Sequence, residues 1–83
     1  MNHLELEHLM DKKDRLNKLM MVYGRVQKWI NAMAGKVSPS DINIAQTALR
    51  EIEELTSRVE NIDYVFTEGN MQRLNNLWKY YKV

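Results

Sequence analysis

Gly35-Lys36-Val37-Ser38-Pro39-Ser40-Asp41, near the middle of the chain, is the stretch whose reading decides the fold. Glycine stops a helix because it enters the left-handed region without a Cβ penalty. Ser38 suits the N-cap of a following helix. Pro39 suits its first position, where a missing N–H costs nothing, and Asp41 its third, where a carboxylate answers the capping serine and the helix dipole. The stretch therefore predicts a tight turn (residues 35–38) between two helices, and so short a connection makes them antiparallel neighbours.

On the N-terminal side of the turn, apolar residues recur every seven positions. Leu9, Leu16, Tyr23, Ile30 and Val37 take a positions, and Leu19, Val26 and Met33 take d positions with Lys12. Met20, Val22 and Trp29 widen the stripe, as in a helix with more than one neighbour. This predicts a first helix over residues 4–34, about 45 Å long, in which Gly24 marks a close helix contact. On the C-terminal side the heptad resumes with Ala45, Ile52, Val59 and Phe66 at a, and Ala48, Leu55 and Ile62 at d. Leu49 widens that stripe, and a second helix is expected over 39–68. Pairing outward from the turn sets Val26 near Ile52 and Tyr23 near Leu55.

The frame then breaks. Met71, Leu74, Leu77, Trp78 and Tyr81 form an offset helical stripe after Glu68-Gly69-Asn70. With Gly69 closing the second helix and Asn70 as N-cap, a short third helix is expected over 71–81. The fold class is all-α: a long antiparallel, coiled-coil-like hairpin with a short third helix, one domain over 1–83, completed by oligomerisation.

The 83 residues carry no cysteine, one proline and a net charge of +1, which excludes a disulfide scaffold, a thiolate metal site, an acidic mimic and a basic nucleic-acid coat. That +1 is unevenly spread. Residues 1–37 hold seven Lys/Arg and four acids, residues 38–69 two Arg and seven acids, and residues 70–83 three bases and no acid. The acidic second helix is expected between two basic ones. No run of 18 apolar residues is present and the N-terminus is polar and acidic, so a cytoplasmic chain without a membrane span is expected.

Candidate chemistry is sparse. His3 and His8, five apart, point about 140° away from each other on a helix and cannot chelate as an i,i+4 pair does. Lys12, the one charge on a seam, is expected to snorkel or to pair with Glu68. Arg15, Arg25 and Lys28 are loosely similar to the basic residues of the all-helical chorismate mutases, whose acidic and glutamine positions find no counterpart here. No phosphate loop or nucleophile motif occurs. A non-enzyme without metal or cofactor is expected.

Two surfaces remain. The C-terminal Leu77-Trp78-Lys79-Tyr80-Tyr81-Lys82 alternates aromatics with bases, and Met10, Met20, Met21, Trp29 and Tyr64 lie off the seams where a lone hairpin exposes them. Methionine-rich helical faces suit helical partners. The expected function is a non-catalytic protein-interaction module that regulates, inhibits or escorts a larger protein. In size and form it is similar to phage-encoded inhibitors and secretion-system chaperones. Its partner-binding residues are Met10, Met20, Met21, Trp29, Tyr64, Trp78, Tyr80 and Tyr81, with a homodimer as a second kind of partner. The alternative is a nucleic-acid accessory protein using Lys12, Lys13, Arg15, Lys18, Lys79 and Lys82.

Overall fold

The computed structural model describes residues 3–61 and 67–82, with side chains from Lys12 onward. It is all-helical over these residues: α1 (His3–Met33), α2 (Pro39–Val59) and α3 (Glu68–Tyr80). The expectations for Leu9, Met10, Ile62, Tyr64 and Phe66 fall outside the described side chains.

The turn forms as its residues dictate. Gly35 takes a φ of +83°, a left-handed conformation, and the N–H groups of Lys36 and Val37 both donate to the Met33 carbonyl, at 2.9 and 3.2 Å. Ser38 is extended, and its hydroxyl accepts from the Asp41 N–H at 3.3 Å, with Pro39 opening α2 behind it.

The second connection differs from expectation at both ends. α2 stops at Val59 instead of continuing to residue 68. The Asn61 N–H reaches back only to Arg58 O, at 3.0 Å, a tightened final turn. Lys12 donates from Nζ to the Glu60 carbonyl at 3.3 Å, so its partner is the C-terminal end of α2, where a cation meets the negative end of the helix dipole, and not Glu68. α3 begins at Glu68 instead of Met71 because Thr67 is the N-cap. Thr67 Oγ1 accepts from the Asn70 N–H and Asn70 Oδ1 accepts from the Thr67 N–H, both at 3.1 Å. Asn70 is thus the reciprocal partner in a capping box and Gly69 lies inside the helix.

α1 packs against both other helices. Tyr23 meets Glu53 and Lys12 meets Glu60, so α2 runs antiparallel to it. α3 runs parallel to α1: Asn75 shares a groove with Asn17 and Lys18, and further along Tyr81 receives Arg25 and stacks on Trp29. The basic first helix, not the acidic second, is therefore the shared element. α2 and α3 are joined by the exposed Arg73–Glu51 ion pair at 3.2 Å.

The core is built from Leu19, Val22, Val26 and Ile30 of α1, from Ala45, Ala48, Leu49, Ile52, Leu55 and Val59 of α2, and from Leu74, Leu77 and Tyr81. The α2 seam is buried as its heptad predicts. On α1 the buried line is shifted: Val22 is 1 % exposed while Leu16 and Tyr23 are only partly buried, because α3 covers the flank on which Val22 lies. No described buried side-chain polar atom lacks a hydrogen-bond partner.

The molecule measures 52 × 19 × 17 Å with a radius of gyration of 14.7 Å, against about 12 Å for a compact chain of this length. Its surface of 6106 Å² likewise exceeds the roughly 5,200 Å² expected of a compact monomer of this mass. Among the described residues, no helix is long and apolar enough to cross a membrane.

Candidate protein-interaction surface

With about 100° between successive residues, the buried line Leu19–Val22–Val26–Ile30 leaves Gly24 facing away from the core and places Met20 and Met21 on either side of it. Met20 is 70 % and Met21 59 % exposed. Gly24 is exposed, and a Cβ built there meets nothing within 4 Å. It does not mark a contact between helices of the bundle, which corrects the expectation from sequence.

Two open grooves flank this line. The groove between α1 and α2, about 400 Å³, has Leu19 and Ile52 at its floor, Met20 and Tyr23 on its wall, and Glu53 and Glu60 at its rim. The Tyr23 hydroxyl donates to the Glu53 carboxylate at 3.0 Å, and that bond, ahead of desolvation, holds the phenol above its ordinary pKa. The groove between α1 and α3, about 530 Å³, carries Met21, Val22 and Trp78 with Asp14, Lys18 and Asn75. It continues past Gly24 to Arg25 and Lys28. The Arg25 guanidinium lies 3.8 Å over the centre of the Trp78 ring, and its Nε donates to the Tyr81 carbonyl at 2.9 Å. Trp78 thus remains partly exposed under a cation whose orientation is fixed at two points.

A second apolar patch lies at the turn end of the bundle. Ile44 and Tyr80, 61 % and 74 % exposed, border a small pocket with Val37 and Asp41.

Of the sequence-derived partner residues, Met20, Met21, Trp78 and Tyr80 lie at the surface. Tyr81 does not: it is 3 % exposed, edge-on to Trp29 at 4.9 Å, and burial raises the pKa of its phenol, with Tyr80 adding to the effect. Trp29 is half-buried against the core. These two residues hold α3 to α1 and belong to the interior. Met10 and Tyr64 lie outside the described side chains.

The nucleic-acid set is not gathered onto one face. Lys12 turns toward α2 to cap Glu60, Lys13 faces solvent, Arg15 is half-buried, and Lys18 lies on the α3 side. Lys79 and Lys82 are exposed near the far end of α3. Among the described residues, no group of three or more histidine, cysteine, aspartate or glutamate side chains is disposed to hold a metal ion. Sequence reasoning passed over the stacking of Arg25 on Trp78, a pairing that only the docking of α3 creates.

Comparison with known proteins finds no matching family model, and no curated protein or solved structure significantly similar to the chain.

Proposed function

We propose that the chain is a non-catalytic helical interaction module that binds protein through the side chains its bundle leaves uncovered, and so regulates, inhibits or escorts a larger partner. The observation that carries this reading is the exposure of Met20, Met21, Trp78, Tyr80 and Ile44 around a fully apolar core. Large apolar residues grouped on a surface indicate an interface more often than chance exposure does. Methionine and aromatic anchors are also the residue types that carry interface energy. The coiled-coil-like hairpin supplies a stiff support for them. A cytoplasmic site of action belongs to the same proposal.

Affinity capture from a native lysate tests it, comparing the wild-type chain with Met21→Asp and Tyr80→Asp. A protein recovered by the wild type and lost with one variant, while helicity and melting are unchanged, is the expected result. Equal recovery by all three chains, or recovery of none, removes the reading. The nucleic-acid alternative predicts gel shifts that vanish steeply as salt rises; the scatter of its five lysines and Arg15 around α1 and the end of α3 gives it no favouring observation.

A further inference from the structure

The outer face of α1 carries opposite charge on its two flanks. On the α2 side of Gly24, Met20 stands beside Glu53 and Glu60, and Lys12, which donates to the Glu60 carbonyl, is the cation at the far end of that groove. On the α3 side, Met21 and Trp78 stand beside Lys18, Arg25 and Lys28, with Asp14 the single acid of that lining. No described carboxylate lies in ion-pair range of Arg25 or Lys28. Between the flanks, the open space at Gly24 lets another helix approach the α1 backbone closely.

We infer that this face binds a second copy of the same chain, with the two α1 helices parallel and crossing at Gly24. The inference rests on reading Met20 and Met21 as an interface and goes further in naming the occupant and its orientation. A two-fold axis running along α1 exchanges the flanks, so the acidic groove of each copy meets the basic groove of the other. Met20 of each copy then packs against Met21 of the second copy, and two glycines meet at the centre. An axis across α1, which would make the helices antiparallel, sets acidic groove on acidic groove and basic on basic. Like charges brought together this way oppose association, whereas opposite ones select it.

The levels of the charges along α1 agree with the parallel arrangement. Glu53 is level with Tyr23, to which it is hydrogen-bonded, and so lies within one turn of Arg25 on the opposite flank.

Sedimentation equilibrium from micromolar to millimolar chain concentration tests association. A reversible dimer is expected, weakened by salt, and Met21→Asp should raise its dissociation constant by more than about tenfold. Because the chain has no cysteine, single introduced cysteines then read the orientation. In the parallel pair, Asn17→Cys and Asn31→Cys each oxidise to a self-linked dimer, and Gln46→Cys, exposed on α2, does not. A link that forms only between Asn17→Cys and Asn31→Cys chains in a mixture would establish the antiparallel pair and overturn the inference. So would a monomer throughout the concentration range, or a dimer indifferent to Met21→Asp. A monomer that still captures a protein through Tyr80 overturns this inference and leaves the module reading standing.

Discussion

The two faces of α1 are made from similar residues and differ in what covers them. Leu19 and Val22 are closed off completely, while Met20 and Met21, in the same turn, are more than half exposed. The inner residues are branched and fit a fixed gap between α2 and α3. The outer ones are unbranched thioethers that adapt to a changing neighbour. One helical turn thus separates residues that hold the bundle together from residues that it does not use.

Substitutions should reproduce that division. Leu19→Ala, which opens a cavity at a site with no exposure, should lower unfolding free energy by about 3 kcal/mol in chemical denaturation. Arg25→Ala loses a hydrogen bond and a cation–π contact on the flank that meets α3 and should cost about 1–2 kcal/mol, with loss of near-ultraviolet dichroism from Trp78. The glycines should diverge in sign. Gly35→Ala forces a side chain into a left-handed conformation and should cost about 1 kcal/mol, whereas Gly24→Ala at an open helical position should add up to about 1 kcal/mol to the dilute monomer. Met20→Ser should change the dilute monomer by less than about 0.5 kcal/mol. A large loss there would erase the distinction between the faces.

Alkaline pH sharpens the comparison further. The phenols of Tyr23 and Tyr81 are both raised, the first chiefly by its bond to Glu53 and the second chiefly by burial. A raised phenol stabilises the fold fully below pH about 10, its unfolded value, and that contribution is lost as pH climbs through the folded value. Absorbance at the phenolate band should therefore show late-ionising tyrosines, and Tyr81→Phe should remove one of them and flatten the alkaline loss of stability.

Much of the fold was legible because it is written in local chemistry. Ser38, Pro39 and Gly35 act on their own neighbours, and the α2 heptad faces a single partner. What the sequence concealed depends on contacts distant along the chain. The widened stripe at Val22 points to a second neighbour and Tyr81 lies on the stripe of α3, but spacing does not disclose that α3 is that neighbour, running beside α1 and burying both residues. Thr67 was hidden by Asn70, whose side chain suits an N-cap and the third position of a capping box equally well; the backbone chose the second. Gly24 shows a further limit, since a glycine on a helix reads the same whether it admits a neighbour within the bundle or faces open space.

The docking of α3 also has an optical consequence. Trp78 is carried by α3 and sits under Arg25 of α1, while Trp29 is carried by α1 and meets the ring of Tyr81 at 4.9 Å. Each indole is therefore placed by contact with the other helix, so the separation of α3 from α1 would alter both emitters and interrupt energy transfer from Tyr81 to Trp29 without any added label.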